Sequence, residues 1–149
     1  DHIVPWDSFN GNCPMVESGG MYILHSGMGI VHTEENCIPN AKDHSEFTHA
    51  CFLWFDPGLW DPLPLLAHTQ ILQPHHIPEI KEGGLRVRVL LGEYRRVSSL
   101  ADTHHARLLL LDCHLAPGPT QHVLTLPPAA GSAFVYVPWN GGEGEFGAG

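Results

Sequence analysis

Apolar positions along the chain fall in short runs or in strict alternation, and few windows of a dozen residues lack a Pro or Gly that would interrupt a helix. The clearest alternation is Leu85-Arg-Val-Arg-Val-Leu, which sets Leu85, Val87 and Val89 on one strand face and Arg86 and Arg88 on the other. Ile3-Val4 and Met21 to Leu24 are shorter apolar pieces, with a turn expected at Asn10-Gly11-Asn12. Gly27-Met-Gly29 supplies a tight turn before the run Ile30 to Glu34. A polar loop is expected over Asn36 to Ser45, which holds Pro39, then a strand from Phe47 to Phe55. Asp56 to Pro78 contains five prolines and little periodicity, which marks an extended connector between two units. Further strands are expected at Arg107 to Leu115, His122 to Leu126 and Ser132 to Val137, followed by a glycine-rich tail over Gly141 to Gly149. The pattern is that of an all-β chain.

Within the run after the glycine turn, His32 and Glu34 stand two residues apart, so on a strand they leave the same face while Val31 and Thr33 turn away. Imidazole plus carboxylate suits a non-haem iron or another first-row ion and leaves coordination positions open. Two donors are too few, and at least one more His from another strand is needed. His-x-Glu alone is a weak motif, since a solvent-facing pair on a strand edge has the same spacing.

Composition narrows the function classes. With 43% hydrophobic and 15% charged residues, 16 Gly and 13 Pro, the chain reads as globular and turn-rich. A net charge of −9 with only seven Lys and Arg would repel a phosphate backbone, which argues against direct nucleic-acid binding. The four cysteines, Cys13, Cys37, Cys51 and Cys113, lack Cys-x-x-Cys spacing and read as reduced thiols of an intracellular protein, in cytoplasm or nucleus, although four Cys could also form two disulfides in a secreted one. No apolar run approaches the roughly 20 residues of a membrane span, so no membrane partner is expected. Nucleotide-binding and hydrolase-elbow motifs do not occur.

The order Asp7-Ser-Phe-Asn-Gly11, Gly19-Gly-Met-Tyr-Ile-Leu and His25-Ser-Gly-Met-Gly-Ile-Val-His-Thr-Glu34 resembles the metal-site half of the pirin family, a branch of the cupin superfamily. Phe52-Leu-Trp-Phe, His76-Ile-Pro-Glu79 and the Leu85 to Glu93 strand resemble later steps of that family. Gly20 replaces the usual Asp, and His25-Ser26 stands where Thr-Ala is common. The resemblance implies cupin-type β-barrels of a jelly-roll-like bicupin. Residues 1–55 would form the C-terminal part of a first, metal-binding barrel, 56–79 the interdomain connector, and 80–149 the first part of a second barrel. Strands would then be absent at both ends of the chain, or supplied by a partner.

The family's other two ligands come from an upstream His-x-His, which this chain lacks; Asp1-His2 is the nearest remnant, making His2 the third candidate beside His32 and Glu34. The resemblance implies one iron per chain and a quercetinase-like dioxygenase, with Glu34 as ligand or base toward a flavonol-like aromatic substrate. It also implies an alternative, an iron-dependent nuclear co-regulator that contacts a transcription factor. Of the remaining chemistry-bearing residues, His25 and His49 could stand near the metal strand as ligands or donors to ligands. His75-His76 and His104-His105 are adjacent pairs, which strands would split between faces, and they read as surface residues, as does His122. Cys51 is expected in a core strand, and Cys37 in a loop as a redox-sensitive thiol.

Overall fold

The computed structural model describes residues 2–37, 50–55, 66–103, 107–118, 122–126 and 131–137, with the side chains of Asn36 and Cys37 left aside. All regular structure among these residues is β, apart from one 3-10 turn at Pro74–His76.

The first sheet is built on β1 (His2–Asp7). β2 (Gly11–Asn12) and β3 (Val16–Glu17) share one edge of it, pairing at Trp6-Asp7 and His2-Ile3. Pro5 lies in this central strand, where a missing N–H would ordinarily break the ladder. Its carbonyl accepts from Cys13 N at 2.9 Å, so the side of the residue that lacks a donor faces the gap between β2 and β3. The turn falls at Ser8 to Asn10, and Gly11 and Asn12, expected within it, are already strand. β4 (Met21–His25) follows, then β5 (His32–Cys37), which covers the other edge of β1 along its full length. Asn36 and Cys37 were expected in a loop; pairing with Ile3 and His2 draws them into the strand.

β6 (His68–Leu72) arises inside the proline-rich stretch that lacked any periodic signal, and pairs antiparallel with β4 from Met21↔Leu72 to His25↔His68. After the 3-10 turn come β7 (Glu79–Glu82), β8 (Leu85–Leu91), β9 (Glu93–Tyr94), β10 (Val97–Ser98) and β11 (Leu110–Leu115). β8 is the centre of a three-stranded sheet between β11 and β7, and β9 and β10 form a hairpin. Leu85, Val87, Val89 and Tyr94 are buried together, with Ile80, Val97, Leu109 and Leu111 packed against them. Full burial of a side chain such as Val89 contributes about 1.5–3 kcal/mol relative to exposure.

Arg88 was expected on the face of β8 opposite Leu85, Val87 and Val89, which alone would leave it to solvent. It is instead 9% exposed, because its guanidinium donates to the Gly19 carbonyl and to Asp112 Oδ2 at 3.2 Å. Gln73 ties the same halves of the chain, accepting from Glu17 N at 3.1 Å and donating to the Met15 carbonyl at 2.6 Å.

Among the described residues, three expected strands are not formed. Residues 50–55, 122–126 and 132–137 have no ladder partner among the described residues, and Phe52, Trp54, Val123, Phe134 and Tyr136 are exposed. A strand exists only as part of a ladder, and apolar alternation cannot supply the neighbouring edge. Cys51, expected in a core, is exposed for the same reason. Residues 38–49, 104–106 and 138–149 lie outside the described residues, and with them His49, His104, His105 and the glycine-rich tail.

Candidate metal centre

The turn before β5 forms as the glycines suggest: Gly29 N donates to the Ser26 carbonyl at 2.8 Å, with φ of 53° at Gly27 and 140° at Gly29, values that side chains rarely allow. Two bonds then set the register of β5 on β1. Ser8 N donates to the Val31 carbonyl at 2.8 Å, and Val31 N donates to Ser8 Oγ at 3.2 Å. His32 therefore stands opposite Asp7 and Glu34 opposite Pro5.

His32 and Glu34 project from one face, half-buried at 25% and 22% exposure, with His32 Nε2 3.5 Å from Glu34 Oε1. Two donors bound at about 2.1 Å to one ion, at right angles or somewhat wider, are roughly 3.0–3.5 Å apart. The pair thus fits two adjacent corners of a coordination shell. The Trp54 ring lies 6.5 Å from the His32 ring, centre to centre.

Asp7 shares this face and is fully buried. It accepts from Phe9 N at 2.8 Å, Asn10 N at 2.6 Å, Asn10 Nδ2 at 3.2 Å and Cys13 Sγ at 3.1 Å. Burial alone would raise its pKa, but these donors outweigh burial and hold it down at about 2. Cys13 moves the other way, to about 11, because burial and the neighbouring Asp7 carboxylate both disfavour its thiolate. Tyr22 on β4 is held protonated by burial first, then by the charges of Asp7, Cys13 and Glu34. Its hydroxyl is buried and makes no full hydrogen bond among the described residues, so Asp7 acts on it chiefly through its charge.

His2 does not join the pair. It pairs with Cys37, on the face opposite His32 and Glu34, and lies five residues from Asp7, about 16 Å along the strand. His25 stands at the far end of β4 against His68. His75 and His76 are exposed on the 3-10 turn, and the His122 ring packs beside Gly83. No group of three or more His, Cys, Asp or Glu forms a metal-binding cluster among the described residues. Asp7 and Tyr22 escaped sequence reasoning as partners of this face. The string Asp-Ser-Phe-Asn-Gly signals an Asx-type turn, which identifies Asp7 as a cap but says nothing of Tyr22.

No family model matches the sequence. A pirin-like protein of Arabidopsis thaliana is 30% identical over 144 residues, covering 92% of this chain and 42% of that protein. A pirin-like protein of Solanum lycopersicum is 27% identical over 140 residues, covering 94% and 44%. The chain is pirin-like. It spans less than half the length of these relatives.

The fold agrees with the sequence. The crystal structure of a Geobacillus kaustophilus protein, GK1651, superposes with a TM-score of 0.54 at 18% identity, over 79% of this chain and 44% of that one. That of quercetin 2,3-dioxygenase from Acinetobacter baumannii gives 0.52 at 18% identity, over 76% and 35%. This pirin-like chain is thus all-β and of cupin type. No helix among its described residues is long and apolar enough to cross a membrane.

Proposed function

We propose that this pirin-like chain contributes His32 and Glu34 to a non-haem iron centre of a quercetin 2,3-dioxygenase-type oxygenase acting on a small flavonol-like aromatic. The observation that carries the proposal is the pair itself: imidazole and carboxylate, half-buried and 3.5 Å apart on one face of β5. In the same proposal residues 1–55 and 80–149 belong to two cupin barrels joined by 56–79, and the remaining ligands come from residues other than those described. Similarity to pirin-like proteins and to a quercetin 2,3-dioxygenase supports this assignment.

Iron at the pair would hold adjacent substrate oxygens and make oxygen chemistry accessible. The chain's own residues handle the substrate. Glu34, placed within about 3 Å of a bound hydroxyl, takes its proton as general base. Tyr22, held protonated beside Asp7 and Glu34, offers a donor to the oxygen left behind. The exposed Trp54 ring beside His32 gives a flat aromatic a face to stack on.

Oxygen uptake with quercetin, measured on wild type and Glu34→Gln at matched iron occupancy, tests this. Loss of a general base costs about 10²–10⁴-fold, so Glu34→Gln should lose at least a hundredfold in turnover per bound iron, a larger loss than its loss of iron binding. Equal rates reject Glu34 as base. No uptake in either protein favours the competing assignment, an iron-dependent co-regulator that contacts a transcription factor, for which the exposed Phe52, Trp54 and Phe55 offer an apolar contact.

A further inference from the structure

The chain's cations are gathered in one place. Five of its seven Lys and Arg, namely Lys81, Arg86, Arg88, Arg95 and Arg96, fall within one short stretch of a molecule of net charge −9. On one face of the β7–β8–β11 sheet, Lys81, Arg86 and His114 stand directly opposite one another across three strands, and all three are exposed. Like charges at directly opposite positions weaken a sheet, so the row costs stability unless anions answer it. The adjoining row supplies two carboxylates. Glu79 lies 3.5 Å from Lys81, 3.8 Å from Arg86 and 3.9 Å from Arg88, and Asp112 lies 3.2 Å from both Arg88 and His114. Two carboxylates thus serve three permanent cations and an imidazole, and positive charge is left over.

A hollow of about 340 Å³ opens at this end of the sheet, lined by Lys81, Glu82, Gly83, Gly84, Leu85 and Arg86. Gly83 and Gly84 make the β7–β8 turn at φ of 53° and 87°, and neither puts a side chain into the hollow. The single acid of the lining is Glu82, and Arg95 takes its carboxylate in an ion pair. Arg95 does so from the β9–β10 turn, where Arg95 and Arg96 hold left-handed φ of 48° and 66° that Asn-Gly would adopt with less strain. The Arg95 guanidinium also sits over the Tyr94 ring, 5.5 Å from its centre. A strained turn therefore accompanies the neutralisation of the one acid that would repel an anion here. Beside Gly83 stands the His122 ring, whose Nε2 is buried and has no hydrogen-bond partner among the described residues. Buried polar atoms ordinarily have one.

We propose that the hollow binds a small oxyanion, phosphate or the phosphate group of an ester, between the Lys81 ammonium and the Arg86 guanidinium. Arg86 offers a planar fork that matches phosphate oxygens, and Lys81 a point charge. A small ligand fits better than a polyanion: screening limits its interactions to about 8 Å, whereas an extended run of phosphates would meet the chain's net negative charge. The site is separate from the β5 pair and needs no iron at His32 and Glu34.

Calorimetric titration of the chain with inorganic phosphate, at an ionic strength held constant with chloride, tests this. Phosphate should bind saturably, and Lys81→Gln and Arg86→Gln should each weaken it about tenfold, the effect of losing one charge-assisted hydrogen bond. Both side chains are exposed, so these variants should keep the wild-type unfolding midpoint. Arg96→Gln removes an equal charge from an exposed position outside the hollow and should leave the affinity unchanged. Glycerophosphate titrated in parallel separates the sources: tighter binding than phosphate assigns an ester, and equal or weaker binding assigns the free ion. Absence of saturable phosphate binding, or an equal loss in Arg96→Gln, overturns the proposal. So does binding unchanged in either hollow variant, the result expected if phosphate sits on a metal at the β5 pair.

Discussion

Replacing Asp7 with Asn tests whether one buried carboxylate organises the β1 end of the first sheet. The change is nearly isosteric. Its amide oxygen can still accept from the backbone N–H groups of Phe9 and Asn10, which now meet Oδ1 at 2.8 and 2.6 Å. The amide nitrogen, in place of Oδ2, cannot accept from Cys13 Sγ or Asn10 Nδ2. Two hydrogen bonds to a charged acceptor are lost, each worth about 1.5–3 kcal/mol before partial relaxation. A net loss of about 3 kcal/mol is expected, a large share of the 5–15 kcal/mol that holds a typical domain together.

The pH dependence separates this charge from simple packing. Asp7 titrates at about 2 in the folded chain against 3.8 unperturbed. A depressed carboxylate stabilises the fold fully above the unfolded value and loses that contribution as pH falls toward the folded one. The gap between wild type and Asp7→Asn should therefore be widest near neutral pH and narrow between about pH 4 and pH 2. Urea unfolding midpoints at pH 7 and across that window measure both quantities. Equal midpoints at pH 7, or a gap that stays constant down to pH 2, would refute the role assigned to the charge.

Gly92 lies between β8 and β9 at a φ of 77°, and a Cβ there would run into the Leu108 carbonyl, so Gly92→Ala should destabilise by about 3 kcal/mol, measured by thermal unfolding. Cys13 is buried with its pKa raised to about 11, whereas Cys51 is exposed; at pH 8 a thiol reagent should label Cys51 first and reach Cys13 only on unfolding, as read by peptide mass spectrometry.

What could be read from the sequence was whatever depends on neighbours in the chain. The alternation of Leu85, Val87 and Val89 marks the buried face of β8, and two glycines around Met28 mark the turn into β5. The common face of His32 and Glu34 follows from the period of a strand. Non-local pairing was hidden. β6 arises in a stretch without alternation because β4 offers it an edge, and residues 122–126 alternate but lack a partner among the described residues. Alternation placed Arg88 on the other face of β8 but could not show its burial, since its partners, the Gly19 carbonyl and Asp112, come from distant positions. His2 was a plausible ligand by order along the chain, yet only the register against Cys37 reveals that it faces away.

Register is also what links the buried carboxylate to the half-buried His-x-Glu pair. Side chains alternate with a period of two, so a slip of one residue would carry His32 and Glu34 to the opposite face. The reciprocal bonds between Ser8 and Val31 oppose that slip, and Ser8 is held in its turn because Asp7 caps the two N–H groups that follow it. Among the described residues no Lys or Arg pairs with Asp7 or Glu34, so this face carries two carboxylates, and one charge is fixed there by hydrogen bonds alone. An added cation would relieve that excess, which is the electrostatic condition an ion-binding face needs. Residues that never touch a ligand thus determine both where the His-x-Glu pair points and what charge it meets.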